Sequence, residues 1–298
     1  MHRIGIDLGG TKIELIVTKD DSMEVLHRTR VATVRTGYEE LLEQLADLVG
    51  SVREVASQNP RVGIGAPGFV DPITGAIGSS NLRILAFRPF QEDLSRRIRL
   101  PLRVVNDANC FALSEALHGA GQGYRMVLGI ILGTGMGGGM VLDGRIWSGS
   151  QGITGEWGHV TIDPGGPSCY CGRRGCQELY LSGTGIQRVY REKSGRKLEV
   201  QEIHDAWLAG DDSAAAETME IFLEYFGQAM ANLVMCFDPD VIVLGGGVSN
   251  LPVLYDEGLK RVSAEVFEGR QAIRIVPNRL GDSSGVYGAA AAAETAGE

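Results

Sequence analysis

Two stretches of this chain share one layout. Ile4–Lys12 and Gly129–Gly135 each run as an apolar strand into a glycine- and threonine-bearing turn, with another apolar stretch beyond. Two similar α/β halves would begin this way, and facing each other they would set both turns beside one cleft. Two strands ending in glycine turns by chance is the competing explanation, and the repeat alone does not exclude it.

The elements between the turns fit two cycles of strand and helix. Apolar runs at Ile4–Leu8, Ile13–Val17, Val62–Ala66, Leu102–Val105, Met126–Leu132 and Val241–Leu244 read as strands, with Val25–Val34 a mixed further candidate. Leucines and valines from Leu41 to Val55 recur at helical spacing until Asn59-Pro60 stops them. Shorter helices are expected near Gln91–Ile98 and from Asn106-Asp107 to His118. Glu217–Phe237 carries the clearest apolar stripe, and the alanine-rich tail from Ser283 reads as a last helix. Asp143-Gly144 is a strong hairpin signal. The expected domains are an N-terminal α/β lobe over 1–118 and a C-terminal lobe over 119–298, the last helix returning to the first lobe.

With 298 residues, 44% of them hydrophobic, there is material for one large or two medium cores. A net charge of -9 without a basic block argues against general nucleic-acid binding. No apolar run approaches the roughly 18–20 residues of a membrane span, and the N-terminus lacks a signal-peptide core. A cytoplasmic protein is therefore expected.

Asp7-Leu8-Gly9-Gly10-Thr11-Lys12 has the parts of a phosphate site without Walker spacing. Glycines admit an anion to the backbone amides, Thr11 and Lys12 add a hydroxyl and a charge, and Asp7 could hold magnesium through water. A plain hairpin turn is equally compatible. The run from Gly133-Thr134-Gly135 to Gly139 formally satisfies a dinucleotide fingerprint, but a hairpin follows it where that fingerprint opens a helix. Phosphate binding through amides fits; a Rossmann site does not. Gly245-Gly246-Gly247 is a third such turn, able to admit a base or sugar, or simply a loop.

Three of the five cysteines, Cys169, Cys171 and Cys176, fall in one glycine- and proline-rich loop, with His159 upstream. Three thiols and an imidazole complete a closed tetrahedral zinc set. Cys110 and Cys236 stand apart in apolar contexts and read as small hydrophobes. Glu156 and Glu178 flank the loop. If zinc takes one ring nitrogen of His159, the other carries a proton and can donate to a hydroxyl. Asn106-Asp107 sits at a helix mouth, where both residue types are ordinary caps; as a functional pair, Asp107 would accept a proton from a substrate hydroxyl.

These motifs resemble the ROK family of repressors, open reading frames and sugar kinases, nearly end to end. Asp7–Lys12 and Leu132–Gly135 resemble its phosphate motifs. Gly155–His159 with Cys169-Tyr170-Cys171-Gly172-Arg173-Arg174-Gly175-Cys176-Gln177-Glu178 resembles its zinc signature. Asn106–Cys110 and Asp238-Pro239-Asp240 through Gly247 are also similar.

The resemblance implies an α/β actin/hexokinase-like (ribonuclease H-like) duplicated two-lobe fold with a zinc-binding loop. It implies Asp107 as the base for a sugar 6-hydroxyl, and sugar contacts from Gly68, Asn81, Asn106, Asp107, Glu156, His159 and Glu178. ATP with Mg2+ would lie against Asp7, Gly9, Gly10, Thr11, Lys12, Gly133, Thr134, Gly135, Gly245, Gly246 and Gly247. Structural Zn2+ would be held by His159, Cys169, Cys171 and Cys176. Homodimers or homotetramers are the family habit.

The overall pattern, including Leu181–Gly185 and Gly281–Val286, most resembles bacterial fructokinases and manno(fructo)kinases, which implies fructose. N-acetylglucosamine kinase and glucokinase are the alternatives. A non-catalytic sugar-binding regulator is a further one, disfavoured by an intact Asp107 and by a core that begins too near Met1 for a preceding DNA-binding helix pair.

Overall fold

The computed structural model describes residues 2–19, 24–57, 59–71, 73–78, 80, 82–267 and 272–295. The chain divides into two compact units: Met1–Gly123 with Gly139–Thr154 and Leu280–Glu298, and Tyr124–Gly138 with Gly155–Arg279.

The first unit is built on β1 (His2–Leu8), β2 (Lys12–Lys19), β3 (Val25–Ala32), β4 (Arg61–Ala66) and β5 (Leu102–Asn106), ordered β3-β2-β1-β4-β5. β1 pairs antiparallel with β2 and parallel with β4, and β4 pairs parallel with β5. Side chains alternate across a strand. Ile4, Ile6 and Leu8 of β1, Ile13, Leu15 and Val17 of β2, and Val62, Ile64 and Ala66 of β4 therefore share one core face. Leu41, Leu42, Leu45 and Val49 of α1 (Tyr38–Ser51) and Phe90, Leu94 and Ile98 of α2 (Phe90–Ile98) close that face. The helix expected from the Leu41–Val55 spacing stops at Ser51; beyond it Val52 caps and turns replace the helix.

The opposite face belongs to α3 (Asp107–His118) and α9 (Ser284–Ala292). Here the alternate positions of β1 and β4 are Gly5, Gly63 and Gly65. A Cβ at Gly5 would stand 2.5 Å from the Val286 carbonyl oxygen, and one at Gly63 would overlap the Ala289 carbonyl. Alanines and glycines on α9 answer glycines on the strands, so the backbones approach closely. The same alternation sets Asp7 on the α9 face, where a Cβ on Gly285 would stand 3.2 Å from its carboxylate.

The second sheet repeats this plan. β6 (Met126–Leu132), β7 (Met136–Leu142), β8 (Arg145–Ile146), β9 (Val241–Gly245) and β10 (Ile275–Pro277) lie in the order β10-β9-β6-β7-β8. Replacing each of the first five strands by its counterpart turns one order into the other, reversed. β6 pairs parallel with β9 and β9 with β10; β7 pairs antiparallel with β8 through Asp143-Gly144, both at positive φ. The duplication suggested by the two turns is thus a duplication of strand topology. β7 starts at Met136, so Gly137–Gly139 are strand and not turn. Gly138 is bare because Trp157 packs on it, a Cβ there coming within 2.6 Å of the indole.

Helices α4 (Glu178–Leu181), α5 (Gly183–Ser194), α6 (Val200–Ala209), α7 (Ser213–Phe237) and α8 (Glu257–Glu265) complete the second unit. α7 buries Met219, Phe222, Leu223, Phe226, Met230 and Leu233, and α4, α5, α6 and α8 all pack against it. Asp240 accepts the N–H groups of Arg125 and Met126 at 3.0 and 2.8 Å, anchoring the start of β6.

Candidate active site

In the first unit, the β1–β2 turn leaves Gly10, Thr11 and Lys12 exposed. Gly9 donates its N–H to the Lys12 carbonyl at 3.0 Å. Asp7 stands just before this turn. Burial raises its pKa, repulsion from Glu14 adds, and Lys12 partly offsets both.

β5 delivers Asn106 and Asp107 to the start of α3. The Asn106 side-chain oxygen accepts the N–H groups of Ala108 and Asn109 at 2.9 and 3.2 Å, so Asn106 is the N-cap. Its amide donates to the Gly68 carbonyl at 3.0 Å. Gly68, at φ +101°, takes a conformation that favours glycine, and so brings the end of β4 to the helix mouth. Asp107 is the first helical residue, and its Oδ1 accepts the Ala108 N–H at 2.8 Å. Fully buried Cys110 one turn on feels both carboxylates: burial first, then the charges of Asp7 and Asp107, push its thiol pKa well up. Gly68, Asn106 and Asp107 are thus one cluster. Asn81, expected beside them, lies outside the described residues.

In the second unit, the loop from Glu156 to Glu178 gathers the donor set. One ligand atom each from His159, Cys169, Cys171 and Cys176 lies within 4.8 Å of the others. His159 Nδ1 stands 3.7 Å from Cys169 Sγ, and the Cys171 and Cys176 sulfurs are 3.6 Å apart. Backbone bonds from Cys169 to Arg173 (2.8 Å) and from Gly172 to Cys169 (3.1 Å) fold the knuckle. All five cysteines are free thiols. The donors' chemistry and spacing fit zinc, and a His/Cys3 set leaves no open coordination position.

The second ring nitrogen of His159 has a neighbour that sequence did not anticipate. Nε2 is 2.9 Å from the Tyr170 hydroxyl, with the rings edge to face. Tyr170 lies between two of the cysteines, and that position was its only signal. Glu156 begins the short helical turn that carries His159. Its pKa is raised by desolvation and the Glu178 charge, against the pull of His159.

Glu178 closes the loop and opens α4. Its Oε2 accepts the Met136 N–H at 3.0 Å, at the end of the Gly133–Gly135 turn. Beside that turn, Gly246 at φ +82° lies against the end of β6; a Cβ there would meet the Leu132 carbonyl oxygen at 2.5 Å. Gly247 opens to empty space, with no atom near its Cβ position. The second unit therefore joins two glycine turns, the two glutamates and the cysteine loop.

Duplicated α/β units with a glycine turn after the first strand of each, and a His/Cys3 loop in the second, define an actin/hexokinase-like sugar kinase with a zinc-type loop. The ROK family model matches residues 3–296, and the chain belongs to the ROK family, in its kinase branch. It is 41% identical to the N-acetyl-D-glucosamine kinase of Haemophilus influenzae (strain 86-028NP), over 96% of this chain and 97% of that one. The ROK hexokinase of Thermus thermophilus is similar at a TM-score of 0.89 and 36% identity, covering 99% of this chain and 98% of that one. A ROK glucokinase from Streptomyces griseus, solved with glucose and AMPPNP, is similar at 0.77 and 29%, covering 98% of each chain. Among the described residues, no helix is long and apolar enough to cross a membrane.

Proposed function

We propose that this chain is an ATP-dependent kinase of N-acetyl-D-glucosamine, acting at the 6-hydroxyl. The observation that carries the substrate is the 41% identity, over nearly the full length, to an enzyme named for that sugar. Fructose, implied by the resemblance of the overall sequence pattern, has no counterpart in that relative's name, and N-acetylglucosamine takes its place.

Asp107 is the general base in this reading. The first turn of a helix favours a negative charge, and the bond from Ala108 orients one carboxylate oxygen. The other oxygen would take the proton as the sugar oxygen attacks the γ-phosphorus and ADP leaves. Phosphoryl transfer asks the protein mainly for alignment and charge neutralisation. The amides of the Gly9–Thr11 and Gly133–Gly135 turns would supply neutralisation, and Gly245–Gly247 an approach for the nucleoside. Mg2+, when bound, adds charge neutralisation on the phosphates; Asp7, half-buried and next to the first turn, would hold it through water. Glu156 and Glu178 would contact sugar hydroxyls from the cysteine loop, and His159 Nε2 would do so by exchanging the Tyr170 hydroxyl for a sugar hydroxyl. Zn2+ would keep that loop rigid.

The test is a coupled ADP-release assay with magnesium across N-acetylglucosamine, N-acetylmannosamine, glucose, mannose and fructose. N-acetylglucosamine should give the highest kcat/KM. A higher value with fructose would overturn the substrate, and no turnover with any of the five would overturn the kinase reading.

A further inference from the structure

We propose that Thr33 and Thr184 are matched positioning residues, each using its hydroxyl to hold one glycine turn in the conformation that receives a nucleotide phosphate. The proposal rests on the kinase reading above and adds two residues to it.

The hydrogen bonds of each turn can be followed group by group. In the first, Gly9 N–H goes to Lys12, the Thr33 hydroxyl donates to the Gly9 carbonyl at 2.7 Å, and the Thr33 N–H donates to the Thr11 carbonyl at 3.0 Å. The N–H groups of Gly10 and Thr11 have no acceptor among the described residues, and both residues are exposed. In the second, Gly133 N–H goes to the Gly135 carbonyl at 2.9 Å, and Met136 N–H to Glu178. The Gly183 N–H donates to the Gly133 carbonyl, and the Thr184 hydroxyl to the Thr134 carbonyl, both at 2.7 Å. Again two adjacent amides, Thr134 and Gly135, have no acceptor among the described residues.

Peptide planarity turns these carbonyl bonds into control of the amides. A trans peptide carries its C=O and the next residue's N–H in one plane, pointing opposite ways. Holding the Gly9 carbonyl therefore aims the Gly10 N–H, and holding the Thr134 carbonyl aims the Gly135 N–H. The Gly183 bond does the same for Thr134. Adjacent open amides in a turn make an anion-binding concavity, and donors fixed beforehand need no reorientation as charge develops. Each threonine comes from outside its turn: Thr33 follows β3, and Thr184 lies in the first turn of α5, next to the N-cap Ser182. The start of α5 can reach the turn because Gly183 lacks a side chain, a Cβ there standing 3.2 Å from the Gly133 carbonyl oxygen. Two units of the same topology thus use the same chemical device from different elements.

Steady-state kinetics on full-length T33V, T184V, T33S and T184S test this, with N-acetylglucosamine and MgATP varied separately. Valine keeps the shape and removes the hydroxyl; serine keeps the hydroxyl. Each valine variant should lose about tenfold in kcat/KM for ATP, the scale of one hydrogen bond. KM for the sugar and the melting temperature should stay near wild type, and serine should restore ATP kinetics to within about twofold. Valine variants with wild-type ATP kinetics would overturn the proposal. So would serine variants as impaired as valine, or equal losses for ATP and sugar with a lowered melting temperature. Thr184 is exposed, so its variants decide the matter if buried Thr33 does not accept valine. If the wild-type chain phosphorylates no hexose, the kinase reading falls. Calorimetric MgATP affinity of the same variants then judges the clamp: a tenfold loss in valine restored by serine upholds it, and unchanged affinity overturns it.

Discussion

Glu178 accepts the Met136 N–H at 3.0 Å, so the carboxylate ending the cysteine loop also fixes the end of the second glycine turn. One oxygen is committed to the turn. In the proposed function the side chain also meets sugar, making it a mechanical link between the sugar wall and the phosphate turn.

Asp107→Asn should lower kcat by roughly 10²–10⁴, the usual worth of a general base. Sugar affinity by calorimetry should remain near wild type, because Asn106, which caps the helix, is untouched. A variant with near-normal kcat would return Asp107 to a purely structural place in the first turn.

Metal analysis should find about one zinc per chain, as a four-donor site requires. In the zinc-loaded protein Cys236, exposed and outside the cluster, should react fast with a thiol reagent, while Cys110 stays protected by burial and a raised pKa. Chelation should add Cys171, the exposed thiol of the loop, to the fast class, with buried Cys169 and Cys176 reacting more slowly. Equal labelling before and after chelation would count against metal in the loop.

Asp7→Asn should stabilise the nucleotide-free protein at neutral pH while weakening MgATP binding. The native pKa of Asp7 is raised, so the folded state holds the proton more tightly than the unfolded one. That contribution to stability is fully present below the ordinary value of 3.8 and is lost as pH rises through the folded pKa. The variant's advantage should therefore be seen at pH 7 and shrink towards pH 4 in urea titrations. An advantage independent of pH would mean its origin is not ionisation.

Gly63→Ala and Gly288→Ala should each destabilise by about 1–3 kcal/mol, the usual range for overpacking a core. Their Cβ atoms would overlap the carbonyl oxygens of Ala289 and Cys110. Gly50→Ala, on the exposed end of α1 with open space at its Cβ, should instead be neutral or gain up to roughly 1 kcal/mol. Chemical denaturation of the three variants distinguishes a packing cost from a general intolerance of alanine.

Much of the site was legible because its signals are local. A glycine turn is a few adjacent residues, and a metal loop with donors at 159, 169, 171 and 176 is nearly so. The strand–turn repeat correctly announced a duplicated fold. The substrate was less legible: the overall sequence pattern pointed to fructose, whereas a relative 41% identical to this chain is named for N-acetyl-D-glucosamine.

What the sequence by itself determined was most of the strands (though not β10), the turns between them and the His/Cys3 donors of the cysteine loop, because each depends on neighbours a few residues apart. Tertiary structure alone decided that Thr33 and Thr184 hold the turns, that Tyr170 meets His159, and that α9 lies against Gly5 and Gly63. Gly5 and Val286 are far apart along the chain, as are Thr134 and Thr184, and no local periodicity records a contact between them. Such pairs meet only once the sheets have formed, when side-chain alternation fixes which face is glycine-lined and open to close approach.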